Sequence, residues 1–286
     1  MSRDDIVLEL FRAAAADREH GAAEIEAALI RGLLAHPAAI RPESLREGAR
    51  VLADGQPAMA NLRALAVEAG EAEIAAEFAT WLERRTKVLR ELPQRLAANA
   101  WPRIQTIEQV VTLSRSSAVA AVLEGAWGRG WSGSVVVLDG TVSGHGADQA
   151  RRLADSGTVV AQPDAVAPVW LDLASVMVLI GADAVGEHRF VNAAGTRMLL
   201  ELSRLREVET VLVADSGKDV GEEMVDEIVS RSPLHRESPD REWPIFEAVP
   251  LDLVTTRVSE QLSAEPPAKP RISRNPAPYD NSVGDL

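Results

Sequence analysis

Val176–Thr196 reads VMVLIGADAVGEHRFVNAAGT. It opens on an uninterrupted apolar run, Val176 to Ile180, closed by the small pair Gly181-Ala182 and a carboxylate, Asp183. A short apolar run without polar alternation, bounded by glycine, is the pattern of a strand buried on both faces, as in a parallel sheet. From Ala184 the stretch reads as a loop that arrives at Asn192 and at Gly195-Thr196, where a helical pattern begins.

The same grammar recurs on both sides. QVVTLS (109–114) precedes SAVAAVLEGAWGRG (117–130), and SGSVVVLDG (132–140) precedes GADQARRLADSG (146–157). TVVAQP (158–163) precedes DAVAPVWLDL (164–173), and TVLVADS (210–216) precedes GEEMVDEIVSRS (221–232). With the opening stretch and its helix (195–208), strand alternates with helix throughout, which predicts an α/β fold with a parallel sheet.

Upstream, Ile6 to Asn99 is rich in Ala, Leu, Glu and Arg, with apolar residues three and four apart, as in IVLELFRAAAA and AEIEAALIRGLLAHP. That spacing predicts a helical bundle, broken at His20-Gly21, at Pro37 to Ser44 and at Asp54-Gly55-Gln56-Pro57. The organisation expected is an N-terminal helical domain (1–100), an α/β domain (101–262) and a disordered tail (263–286) too polar and Pro-rich to order itself.

The 286 residues carry a net charge of −13 and are 46% hydrophobic, enough for a full core. The acidic balance, with a pI near 4.9, opposes a surface that coats nucleic acid or a polybasic membrane patch. Lysine occurs only at Lys87, Lys218 and Lys269, a pattern shared by high-GC genomes and salt-adapted cytoplasms. Without cysteine there is no thiol nucleophile, disulfide or cysteine metal site. No apolar run reaches the roughly 20 residues of a membrane span, and no leader pattern opens the chain, so a cytoplasmic protein is expected.

In open α/β sheets, ligands bind beyond the carboxyl ends of the strands. TLSRSS (112–117) sits at one such end. Its hydroxyls and N–H groups either hold a phosphate with help from Arg115 or simply cap the following helix. Asp183 either serves as a general acid or base in a desolvated cleft or caps a turn; Gly195-Thr196 starts a helix whose N–H groups suit an anion. His145 and His188 read as solvated loop residues, and neither a metal site nor a cofactor is expected, because no ligand spacing or Gly-rich nucleotide motif is present. Trp127, Trp131 and Trp170 read as packing between helices and sheet.

Taken in order, these pieces resemble the family of translation initiation factor 2B alpha, beta and delta subunits, which also contains methylthioribose-1-phosphate isomerase and ribose-1,5-bisphosphate isomerase. The resemblance spans Asp17 to about Leu262. HGAAEIEAA (20–28) is similar to the family's Arg-Gly-Ala helix start, GQPAMANLRAL (55–65) to its Arg-Pro-Thr/Ser loop, and TLSRSSAV to its Thr-His-Cys/Ser loop. GADAV…VNAAGT resembles Gly-Ala-Asp-x-Ile…Asn-Lys-Ile-Gly-Thr, ADSGKDV falls where the family has a Lys, and FEAVPLDLVTTRVSE (246–260) resembles its closing segment. The resemblance implies a helical domain followed by a Rossmann-like domain, a homo-oligomer, and a pocket for a phosphorylated small molecule lined by Gly21, Thr112, Arg115, Ser116, Ser117, Asn192, Gly195, Thr196 and Lys218. A role as a translation-factor subunit is also implied, with no direct contact to nucleic acid or membrane.

Catalysis in the isomerase branches is attributed to a Cys and the Asp of Gly-Ala-Asp. Asp183 is retained here, but Ser114 stands at the Cys position, and a hydroxyl without a neighbouring base is a weak substitute. The family's Lys before Ile-Gly-Thr is Ala193, its Arg of Arg-Gly-Ala is His20, and its Glu-Ser-Arg-Pro reads DGTV (139–142). Lost cations weaken the case for a bisphosphate unless Arg115, Arg189, Arg197 or Lys218 compensates. The expectation is a non-catalytic or regulatory member that binds a sugar phosphate or nucleoside monophosphate; the alternative is an aldose-ketose isomerase of phosphorylated ribose using Asp183.

Overall fold

The computed structural model describes residues 3–140, 144–232, 234–238 and 241–261. The tail reading and Thr141-Val142 of DGTV lie outside them.

The N-terminal half is helical: α1 (Arg3–Ala16), α2 (Ala22–Ala35), α3 (Pro42–Gly55), α4 (Ala60–Glu71) and α5 (Ala75–Ile104). Of the predicted breaks, His20-Gly21 lies between α1 and α2, while α3 starts within Pro37–Ser44 and ends within Asp54–Pro57; Pro42 opens α3 at a first-turn position that needs no N–H donor. A further break, between α4 and α5, has no Pro or Gly at Ala72 to Ile74. Phe11, Ile25, Leu29, Leu45, Leu62 and Leu82 interlock in the bundle core. Each such buried side chain contributes about 1.5–3 kcal/mol.

Helix α5 does not stop where the sequence pattern changes. Its first half enters the bundle core through Phe78 and Leu82, while Leu96, Ala100 and Ile104 belong to the core under the sheet. Pro93 lies in its interior, depriving the Leu89 carbonyl of its helical donor.

Beyond it come β1 (Gln109–Leu113), α6 (Ser117–Trp127), β2 (Ser134–Leu138), α7 (His145–Leu153), β3 (Thr158–Gln162), α8 (Ala167–Leu171) and β4 (Val176–Ile180). These are followed by β5 (Ala184–Val185), β6 (Arg189–Ala193), α9 (Thr196–Leu205), β7 (Glu209–Val213), α10 (Glu222–Arg231), β8 (Leu234–Ser238), β9 (Arg241–Pro244), β10 (Phe246–Pro250) and β11 (Thr256–Val258).

The main sheet runs β11-β7-β4-β1-β2-β3, and every pairing is parallel. This is a doubly wound order whose direction of growth reverses between β1 and β4. The central strands β1 and β4 are buried along their whole length, β4 as an unbroken apolar run and β1 with Gln109 and Thr112 buried among its Val and Leu side chains. One face carries α6 and the C-terminal half of α5, the other α8 and α9. Trp127 and Trp131 lie 5.4 Å apart at the end of α6 and donate to the Gly133 and Ile107 carbonyls, fastening that helix to the sheet.

The loop expected between Asp183 and Asn192 is instead a β-ribbon. β5 and β6 pair antiparallel, and β10 adds on the far side of β6. Phe190 and Val191 are fully buried, so the segment pays for its order with apolar contacts that EHRFVNA shows only as a two-residue core.

Candidate functional site

Reversal of the sheet order leaves a crevice between the carboxyl ends of β1 and β4, and both singled-out loops open onto it. After β1 comes Ser114, held at φ 59, a left-handed conformation unusual for a residue with a side chain. Its N–H donates to the Leu138 carbonyl at 2.8 Å, and Gly140, at φ +74, comes so close that a Cβ there would lie 3.1 Å from Ser114 Cβ. The Ser114 hydroxyl has no hydrogen-bond partner among the described residues, and no base reaches it. Thr112 is buried within β1.

Ser116 is the N-cap of α6: its hydroxyl accepts the Val119 N–H at 3.3 Å, while the N–H groups of Ser117 and Ala118 have no acceptor among the described residues. Arg115, half-buried just before them, likewise makes no ion pair or hydrogen bond there. The helix start therefore keeps free donors and a free cation side by side. Ser116 presses against the second loop, where a Cβ on Gly181 would lie 2.3 Å from the Ser116 hydroxyl, so only glycine fits.

Asp183 follows. It is half-buried as a residue, yet its carboxyl is desolvated by the surrounding chain and has no hydrogen-bond donor among the described residues. Burial pushes its carboxyl above the ordinary range, and the charge of Lys218 offsets this only in part. Lys218 is itself buried, in a short turn (Ser216–Lys218) after β7, and its ammonium donates to the Ala182 carbonyl. Lys218 and Asp183 are thus brought onto one loop pair from positions 35 residues apart in sequence.

The helical half closes the crevice. The Ala60 N–H, at the start of α4, donates to the Asp183 carbonyl at 3.3 Å. Asn61 gives its amide N–H groups to the Ala22 carbonyl and to Glu26, leaving its Oδ1 buried without a partner among the described residues. Glu26, 1% exposed, is gripped by Arg85 through bonds of 2.6 and 3.0 Å. Arg85 also abuts Gly217 in the Lys218 turn. Sequence reading missed Asn61, Glu26 and Arg85; an Asn at a helix start and charges on apolar helix faces were the only signals.

A cavity of about 380 Å³ opens between α2, α5 and α6, with Ser117, Asp215 and Lys218 in its wall. Arg152 of α7, paired to Glu24 at 3.4 Å and Glu124 at 3.1 Å, bridges the two halves there. Gly21 caps the α2 end of this region, its N–H bound to Glu24 at 3.0 Å.

The other half of the opening stretch is differently engaged. Asn192 donates to the Thr196 hydroxyl at 2.9 Å, which donates to the Ala193 carbonyl at 2.7 Å, a closed internal lock. At the start of α9, Gly195 (φ +102) and Arg197 both donate their N–H to one oxygen of Glu247, at 2.8 and 2.9 Å. A phosphate there would have to displace the chain's own carboxylate. Arg189 is bound to Glu222 and Asp226 of α10, and Arg197 to Glu201, so neither cation is free. His188 is exposed; His145, half-buried at the start of α7, is held below its ordinary pKa by burial and by Arg115.

The crevice is acidic overall. Asp139, Asp164, Asp183 and Asp215 stand at the ends of β2, β3, β4 and β7, with Arg115 and Lys218 on the neighbouring loops and Arg85 interacting with the Asp215 charge. Burial raises the Asp164 carboxyl although Gly140 donates to it at 2.9 Å. Among the described residues no cluster of His, Asp and Glu is arranged to hold a metal ion, and no helix is long and apolar enough to cross a membrane.

Residues 18–261 match the model of the initiation factor 2 subunit family. The fold is similar to that of the translation initiation factor eIF-2B from Pyrococcus horikoshii OT3, at 19% identity and a TM-score of 0.78 over 91% of this chain and 97% of that one. It is similar to the tetrameric eIF2B-beta2-delta2 complex from C. thermophilum (16%, 0.73, 89% and 91%) and to 5-methylthioribose 1-phosphate isomerase from P. horikoshii OT3 (19%, 0.71, 91% and 85%). No curated protein is matched by the sequence. With the helical region set before a doubly wound sheet and the Gly181-Ala182-Asp183 turn at its switch point, the match over nearly the whole chain makes this protein a member of the initiation factor 2 subunit family.

Proposed function

We propose that this protein is a non-catalytic, regulatory member of its family that binds a singly phosphorylated polyol, such as a sugar phosphate or nucleoside monophosphate, in the crevice between β1 and β4. The observation that carries this reading is Asp183, a desolvated carboxyl with no donor of its own among the described residues, set between the open start of α6 and Lys218. A ligand hydroxyl would donate to Asp183, and its phosphate would rest on the N–H groups of Ser117 and Ala118 with Arg115. The surplus of aspartates opposes a second phosphate, because buried like charges raise the cost steeply.

Ser114 argues against turnover. Its backbone is placed like a reactive residue, but nothing nearby takes its proton. A subunit partner is supported by the relatives, since the C. thermophilum structure is a complex of subunits. Here Val169, Leu173, Met198 and Leu205, 67%, 45%, 42% and 63% exposed on and beside α8 and α9, offer an apolar face for a homo-oligomer or a translation-factor subunit.

The test is NMR of AMP and of ribose 1,5-bisphosphate with wild-type protein and with Asp183→Asn. AMP signals should broaden with wild type and far less with the variant, and the bisphosphate should stay unconverted. Formation of the ketose by wild type but not by Asp183→Asn would establish the isomerase alternative instead.

A further inference from the structure

Most arginines of this acidic chain are bound to carboxylates or carbonyls. Of those whose side chains are described, Arg31, Arg46, Arg50, Arg90 and Arg115 make no hydrogen bond, ion pair or ring contact. Arg46 and Arg50 lie one turn apart on α3 and share a groove of about 310 Å³ between α3 and α4. Its lining shares no residue with the crevice loops, although α4, whose Ala60 N–H bonds the Asp183 carbonyl, forms one wall.

Its lining has a regular spacing. On α3 it comprises Arg46, Ala49, Arg50 and Ala53; on α4, Arg63, Ala66, Val67 and Gly70. Each set steps by three, one and three residues, so each is one helical face roughly 10 Å long. The helices approach closely at the floor, where a Cβ on Gly70 would sit 3.5 Å from Ala49 Cβ. Small side chains keep the floor low and apolar, Val67 is 55% exposed on its rim, and the two arginines stand along one wall.

Among the described residues nothing neutralises those arginines. Glu43 and Glu47 on α3 pair with neither of them, and Arg63 is already held by Glu227 at 3.2 Å. Like charges one turn apart repel, which a carboxylate partner would reverse. The net charge of −13 does not forbid an acidic partner, because salt screens beyond about 8 Å while the contact itself is local.

We propose that the α3–α4 groove docks an acidic helical segment of another protein. Small apolar residues of that segment lie on the Ala49, Ala53 and Ala66 floor, and carboxylates one turn apart meet Arg46 and Arg50. A helix fits because two closely packed helices with a low floor accept a third, and because the charge spacing is that of a helix face.

Fluorescence anisotropy would test this with a labelled alanine-based helical peptide carrying Glu pairs four residues apart, and the same peptide with Gln. The full-length protein should bind the Glu peptide. Arg46→Glu/Arg50→Glu and the milder Arg46→Gln/Arg50→Gln should weaken it about tenfold or more, as loss of two charge-assisted contacts implies. Arg90→Glu, at an equally unpaired arginine outside the groove, should leave it unchanged. Equal binding of the Gln peptide, equal binding by correctly folded double variants, no binding by wild type, or full displacement of the peptide by millimolar inorganic phosphate would overturn the proposal.

Discussion

Glu247 is the residue whose removal tests the site geometry most directly. One of its carboxylate oxygens accepts the Gly195 and Arg197 N–H groups at 2.8 and 2.9 Å, doing at the start of α9 what a bound anion would do. Truncating a side-chain cap costs about 1 kcal/mol, and removing a negative charge from a helix N-terminus costs a further 0.3–1 kcal/mol or so. Glu247→Ala should therefore lose about 1.5–2 kcal/mol. For a chain of this size that is a fall in Tm of roughly 3–8 °C by calorimetry. Glu247→Gln keeps an acceptor without the charge and should lose only the smaller electrostatic part. The alanine variant also exposes free donors, so phosphate or sulfate should raise its Tm more than that of wild type, because only a ligand of the folded state stabilises it. An alanine variant as stable as wild type, or one indifferent to these anions, would refute the view that Glu247 occupies an anion site.

Asp183→Asn should be more stable than wild type at neutral pH. The folded-state carboxyl is raised above its ordinary value of 3.8, so in wild type stability falls as pH climbs from there through the folded-state pKa and then levels off. The variant's advantage should vanish below that pH, as urea unfolding at several pH values would show. Arg85→Ala strands Glu26, which is 1% exposed, and should cost about 3–5 kcal/mol; Arg85→Met/Glu26→Met should cost much less than that single change. Chemical denaturation of the three proteins decides between these outcomes.

The parallel sheet was legible because burial on both faces leaves an unbroken apolar run, as in Val176 to Ile180 and Val135 to Leu138. β6 was not, since its polar residues mask the pair that is buried, and β11 was too short to register. Asp183, Ser114, Ser116 and Lys218 could be placed from sequence because they follow strands that the sheet aligns. The Glu247 contact could not, since Gly195 is 52 residues away and the contact exists only once β10 pairs with β6. Likewise, the Arg85 grip on Glu26 joins α5 to α2 through packing that no local pattern encodes.

The thirty residues of α5 make a rod roughly 45 Å long that belongs to two cores at once. As a consequence, the chain cannot be cut into exchangeable modules where its composition changes. A fragment ending near residue 100 would carry away Leu96 and Ala100, stripping the sheet of part of its cover. One beginning after residue 74 would expose Phe78 and Leu82 to water. Swaps with relatives should therefore take α5 whole, together with one of its neighbours and the matching contacts of the other.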